Sequence, residues 1–181
     1  MRAPGREQQS PEAEQAAVAA LVEEIASLLA GRTVAAAESC TAGRVAAALA
    51  SAEGAADFFR GGLVAYQVPV KQRLLGVSST KVLNLRTAEE MARGAAGLLH
   101  ASVAVSTTGV AGGEPIDGVP VGTVFIGTAV DGVVSSRRHW FPGEPDEVCS
   151  AAARQALCDL AAVLRTHRPT GVRMVGNGES V

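Results

Sequence analysis

Apolar residues recur at helical spacing from Glu12 to Ala30, where Val18, Leu21, Ile25, Leu28 and Leu29 form one stripe and Gly31 supplies the stop signal. A short strand of small residues, TVAAAE (33–38), then runs straight into Ser39. From Gly43, RVAAALAS reads as a second helix that ends around Gly54, and GGLVAY (61–66) reads as a buried strand bounded by glycines. Pro69 opens a short helical turn over VKQRLLG, since proline suits the first helical position. Thr87-Ala88-Glu89-Glu90 has the pattern of a capping box, and its helix continues to about His100. SVAVST (102–107) is another strand and ends in the glycine-rich loop TGVAGGEPIDGVP. VGTVFIGTAV and VVSSRRHWF flank Asp131-Gly132, a strong hairpin signal. Asp146 to His167 makes the long final helix.

The order is helix, strand, helix, strand, helix, strand, hairpin, helix. Such alternation predicts an α/β three-layer sandwich with helices on both faces of the sheet. The sheet should be mixed, because the hairpin adds antiparallel pairing. The expected organisation is a polar lead-in over 1–12, one folded domain over 13–166 and a second tail over 167–181. In open sheets of this kind ligands bind at the carboxyl ends of strands. Three polar loops fall at such ends: Ser39–Gly43, Tyr66–Lys71 and Thr107–Gly113.

Composition narrows the classes. Of the 181 residues 48% are hydrophobic but only 3% aromatic, so the core must be built from Ala, Val and Leu. The net charge of -2, with Arg137-Arg138 as the only local basic concentration, argues against nucleic acid. No apolar run reaches membrane-spanning length and no signal-peptide stretch opens the chain, which predicts a cytoplasmic protein off the membrane. Cysteines at 40, 149 and 158 are too scattered for a disulfide framework. Cys149 and Cys158, sharing a helix, would point to opposite sides, and the histidines at 100, 139 and 167 stand isolated. The expectation is therefore no metal, no cofactor and a reducing compartment.

Ser39 sits where a strand ends and a helix is about to begin. Unpaired helix N-terminal N–H groups there bind anions and stabilise an oxyanion. Capping of the helix by Ser39 or Thr41 is the commoner role for such residues. Cys40 is the rival nucleophile, and on an extended segment only one of the two neighbours faces a pocket. Cysteine is more often a small apolar filler, which favours Ser39. A serine needs a base, and no histidine–acid pair suggests a triad. Lys71, five residues past Tyr66, serves if burial brings its pKa down from about 10.4 to about 7–8. Tyr66 would relay a proton or orient the lysine. A solvated lysine beside a half-buried tyrosine is the plain alternative. TTGVAGG (107–113) offers hydroxyls and glycines for a phosphate or an oxyanion, or simply a tight turn. Arg60 offers a guanidinium for a phosphate, or an ordinary exposed charge.

Six blocks taken together resemble the CinA C-terminal domain family: AESCTAGRVAAAL (37–49), FRGGLVAY (59–66), KQRLLGV (71–77), TTGVAGG (107–113), VPVGTVFI (119–126) and FPGEPDEV (141–148). The resemblance covers roughly residues 13 to 166 and reads as a stand-alone copy of that domain. It implies a nicotinamide-nucleotide amidohydrolase that converts nicotinamide mononucleotide and water to nicotinate mononucleotide and ammonia. By the same resemblance Ser39, Lys71 and Tyr66 are the catalytic residues. Thr41, Gly43, Arg60, Thr107, Thr108 and Gly109 are then substrate-binding, and a homodimer is expected. The chain departs from the family pattern at Ala42 (a glycine there), at Gln67-Val68 (Ser-Asn), at Pro69, at Arg86 and in the shortened GGEPIDG loop. Those departures leave a second expectation open, a non-catalytic nucleotide- or partner-binding domain tied to competence or DNA damage. A third is an amidase for another small amide.

Overall fold

A computed structural model describes residues 10–167. Most of both expected tails, 1–9 and 168–181, lies outside the described residues. In chain order the elements are α1 (Pro11–Leu29), β1 (Val34–Glu38), α2 (Arg44–Ala50), α3 (Ala55–Phe58), β2 (Phe59–Val64), α4 (Val68–Leu75), α5 (Leu85–Leu98), β3 (Val103–Gly109), β4 (Thr123–Val130), β5 (Val133–Trp140) and α6 (Pro145–Thr166). The five strands form one sheet in the order β2-β1-β3-β4-β5. β1 runs parallel to both β2 and β3, while β3, β4 and β5 are antiparallel neighbours. The fold is therefore α/β with a mixed sheet, as the element order requires. Among the described residues no helix is long and apolar enough to cross a membrane.

β1 is buried along its whole length because helices cover both of its faces. Val34 and Ala36 pack with Val22, Ile25, Leu49, Leu157 and Leu160 on the side of α1, α2 and α6. Ala35 and Ala37 pack with Leu75, Met91 and Ala95 on the side of α4 and α5. Alternation along a strand thus sends even-numbered residues of β1 to one helical layer and odd-numbered residues to the other. Small side chains let the layers close tightly. A Cβ at Gly94 of α5 would run into the Leu75 carbonyl that ends α4.

Several local features differ from the sequence expectation. The α1 helix starts at Pro11, capped by the Ser10 hydroxyl, so its first two residues fall inside the expected tail. The capping box expected at Thr87 is absent. Asn84 is the N-cap and accepts from the Thr87 N–H at 2.8 Å, while Glu90 is drawn away to Ser78 and Arg86. A capping box occurs instead at the start of α6, between Glu144 and Glu147. The single turn α3 is too short to show helical periodicity. The Asp131-Gly132 hairpin forms as expected, with both residues at positive φ (51° and 86°). His139 is not isolated: its Nε2 lies 2.8 Å from Asp159 Oδ2 across β5 and α6, and neither residue lines the cavity described below.

Candidate active site

Strand β1 delivers two adjacent polar residues to opposite layers. Glu38 continues the face covered by α2, and Ser39 continues the face covered by α4 and α5. Both are buried. Beyond Ser39 the chain turns into α2 and alternation ends, so Cys40 also lines the cavity that Ser39 lines. The expectation that only one of the pair would face a pocket fails because the extended segment stops one residue too early for it.

The cavity has a volume of about 750 Å³ and opens at the carboxyl ends of β1 and β3. Its floor is Ser39, Cys40 and Lys71, and its walls include Gln67, Val68 and Pro69 from the start of α4 and Thr108 and Gly109 from β3. The loop after β3 contributes Ile116 and Asp117, and α6 adds Pro145 and Cys149.

Lys71 is the decisive side chain. It is 2% exposed, and its Nζ lies 2.9 Å from Ser39 Oγ and 2.8 Å from the Tyr66 carbonyl. No carboxylate makes an ion pair with it among the described residues. Burial without a counter-charge penalises the ammonium form, and the pKa of Lys71 is held below its usual 10.5 for that reason. Its Nζ donates to the Tyr66 carbonyl and to the Ser39 hydroxyl oxygen. Cys40 is tuned the opposite way. Burial foremost, then the nearby Cys149, raises its pKa to about 12, which leaves an unreactive thiol. Cys149, likewise raised by burial, donates its S–H to the Cys40 carbonyl. Of the two candidate nucleophiles, only Ser39 hydrogen-bonds to Lys71 among the described residues.

The other residues singled out from the sequence divide into three groups. Tyr66, Thr108 and Gly109 line the cavity with Ser39 and Lys71. Tyr66 is exposed, and the backbone carbonyl of this residue, not the phenol, hydrogen-bonds to Lys71. The Thr108 hydroxyl donates to the Val82 carbonyl and holds the segment between α4 and α5 against β3. Thr41, Gly43 and Thr107 do not line the cavity; they join a buried network beneath the turn. Arg60 is brought to neither place. It is exposed near the start of β2, at the opposite end of the sheet from Ser39.

The centre of the buried network is Glu38, which the sequence reading passed over. Its carboxylate accepts from the Thr41 hydroxyl (2.6 Å) and from the N–H groups of Gly43 (2.9 Å), Val45 (3.1 Å) and Ala46 (2.8 Å). The helix N-terminal donors expected to be free are thus already occupied, by the side chain one residue before the serine. An acidic residue ending a strand of small residues, just ahead of a turn into a helix, is the signal that could have found it. Ala42, where the family pattern has glycine, takes a left-handed φ of 52° in this turn.

The described residues therefore form an α/β domain with a buried hydroxyl–amine pair at the carboxyl end of parallel strands. Residues 18–164 match the CinA C-terminal domain, and the chain belongs to that family. It is 41% identical over 133 residues to a CinA-like protein of Mycolicibacterium gilvum, an alignment covering 70% of this chain and 32% of that protein. The chain spans about a third or less of the curated relatives it matches. Among solved structures, a competence or damage-inducible protein from Enterobacter asburiae superposes with a TM-score of 0.78 at 32% identity, over 81% of this chain and 98% of that one. A competence/damage-inducible protein from Agrobacterium tumefaciens superposes with a TM-score of 0.75 at 31% identity, over 82% and 95%.

Proposed function

We propose that this chain hydrolyses the carboxamide of nicotinamide mononucleotide, with Ser39 as nucleophile and Lys71 as its base. The observation that carries this reading is the 2.9 Å contact between the Ser39 hydroxyl and a buried lysine without a carboxylate partner, at the floor of an open cavity. Neutral Lys71 takes the hydroxyl proton as Ser39 Oγ bonds to the amide carbon. The resulting tetrahedral oxyanion is held by backbone N–H groups. The amide nitrogen takes the proton back from Lys71 and leaves as ammonia. Water, deprotonated by the same amine, then cleaves the acyl-serine to the carboxylate. Tyr66 holds Lys71 through its carbonyl and presents its ring at the cavity mouth. The family membership supports the substrate, since nicotinamide-nucleotide amidohydrolysis is the activity that the resemblance implies.

The test is a coupled ammonia assay with nicotinamide mononucleotide in the absence of added metal. Wild-type protein releases ammonia, and Ser39→Ala and Lys71→Met each reduce the rate by at least about a thousandfold. Ammonia release that survives both substitutions sinks the assignment. A second reading is favoured by Val68, which places an apolar group on the cavity wall where the family pattern carries an asparagine, and by Pro69 beside it. In that reading the domain binds a nucleotide or a partner without turnover. Calorimetric binding of the nucleotide with no ammonia formed over hours selects it.

A further inference from the structure

We propose that Glu38 is a positioning residue for the oxyanion donor of this site, the Cys40 N–H, acting through Thr41. The inference rests on the serine mechanism proposed above and goes beyond it by assigning the donor and the group that sets it. An account of every backbone N–H from Ser39 to Ala46 carries the assignment. Ser39 donates to the Thr107 carbonyl, Ala42 to the Ser39 carbonyl and Arg44 to the Thr41 carbonyl. Gly43, Val45 and Ala46 donate to the Glu38 carboxylate. The hydrogen bonds among the described residues leave two groups over, the N–H of Cys40 and of Thr41. Thr41 is fully buried away from the cavity, whereas Cys40 lines it. The Cys40 N–H follows the nucleophile directly, where an acyl-transfer site needs a donor.

Glu38 fixes the turn that carries this donor from below. Three of its four partners are backbone N–H groups that can only donate, and the fourth is the Thr41 hydroxyl at 2.6 Å. A carboxylate has no proton to give, so Thr41 is the donor in that contact. The Thr41 oxygen is then free to accept, and its 2.7 Å contact with the Thr107 hydroxyl becomes a donation from Thr107. A one-way chain results: Thr107 to Thr41 to Glu38. It ties the turn after Ser39 to the end of β3 and to the start of α2 at once. All three side chains are buried. By filling the start of α2, Glu38 also prevents those N–H groups from competing for a substrate anion, which leaves the carbonyl oxygen to the Cys40 N–H. Lys71 is held independently, by α4 and the Tyr66 carbonyl.

This separation makes the test specific. Thr41→Val removes the hydroxyl at nearly constant shape, Thr41→Ser restores it, and Glu38→Gln puts an amide N–H₂ against at least one N–H donor. For ammonia release, Thr41→Val and Glu38→Gln lower kcat about tenfold to a hundredfold and leave KM within about twofold. The pH at which the rate rises stays where wild type has it, because the serine–lysine pair is untouched. Thr41→Ser recovers most of kcat. A folded Thr41→Val protein with wild-type kcat, or a kcat loss that Thr41→Ser fails to recover, overturns the proposal. So does a loss accompanied by a shifted pH profile. Should wild type release no ammonia, the substrate assignment falls, and the same variants are read by the nitrophenolate burst from p-nitrophenyl acetate. A burst slowed in Thr41→Val and recovered in Thr41→Ser supports the Glu38 role. A burst equal in all variants, or absent from wild type, overturns it.

Discussion

At the scale of single residues, the site depends on an amine kept from being an ordinary lysine. Burial lowers the Lys71 pKa below 10.5 in the folded protein, whereas the unfolded chain restores the usual value. Between those two values the unfolded chain binds more protons than the folded one, so wild-type stability rises with pH across that window. Below the folded value both states are protonated, and the cost of burying the ammonium is present in full. The thioether that Lys71→Met introduces does not titrate. The melting temperature of Lys71→Met minus that of wild type is therefore most positive at low pH and declines as pH climbs through the window. Melting curves at about pH 6 and about pH 10 measure this, and an unchanged difference would remove the buried ammonium from the account. In the same direction, the proposed mechanism predicts that the rate of ammonia release rises with pH, with a midpoint below 10.5. Ser39 and Lys71 were legible in the sequence because hydroxyl and amine fell on loops at strand ends. The part played by Tyr66 was not, since what touches Lys71 is a peptide carbonyl, which every residue type carries. Glu38 was hidden for a related reason: three of its four partners are backbone N–H groups.

At the scale of elements, hydrophobic period and turn chemistry revealed every helix and strand except the single turn α3, and the remaining errors lie at element ends. The start of α5 shows why ends are harder. Thr87 and Glu90 satisfy the spacing of a capping box, yet Asn84 three residues earlier captures the Thr87 N–H, and Glu90 finds better donors in Ser78 and Arg86. Tertiary partners decided a contest that spacing alone left open. Packing between α4 and α5 also has a direct bearing on the site, because α4 carries Lys71. At Gly94, α5 approaches the last carbonyl of α4 so closely that a methyl group has no room. Gly94→Ala should destabilise the fold by about 1–3 kcal/mol, despite the better helix propensity of alanine. Urea denaturation followed by circular dichroism measures the effect. A neutral or stabilising result would mean that the two helices separate without penalty.

At the scale of the whole molecule, the site is a product of strand order. With β1 between β2 and β3, the turn after Ser39 is reached by α4, by the end of β3 and by the start of α6, which lie apart in the chain. The sequence indicated that polar loops would gather at one end of a sheet. It did not distinguish those that meet Ser39 from Arg60, whose place near the start of β2 puts it at the other end of the sheet. The FRGG block that contains Arg60 looks chemical in one dimension and is separated from the chemistry in three.

The molecule also holds one indole, Trp140, at the end of β5. Its ring is 62% exposed, and its Nε1 donates to the Val121 carbonyl at 3.1 Å. Next to Val121, Gly122 donates to Val110, so the fluorophore is fastened to the base of the loop that brings Ile116 and Asp117 to the cavity. Excitation at the red edge of protein absorbance therefore interrogates that loop almost alone. A nucleotide that reorders the loop on entering would shift the emission maximum or its quenching by iodide. Titration of the unmodified protein, in its native optical signal, then reads occupancy without a label.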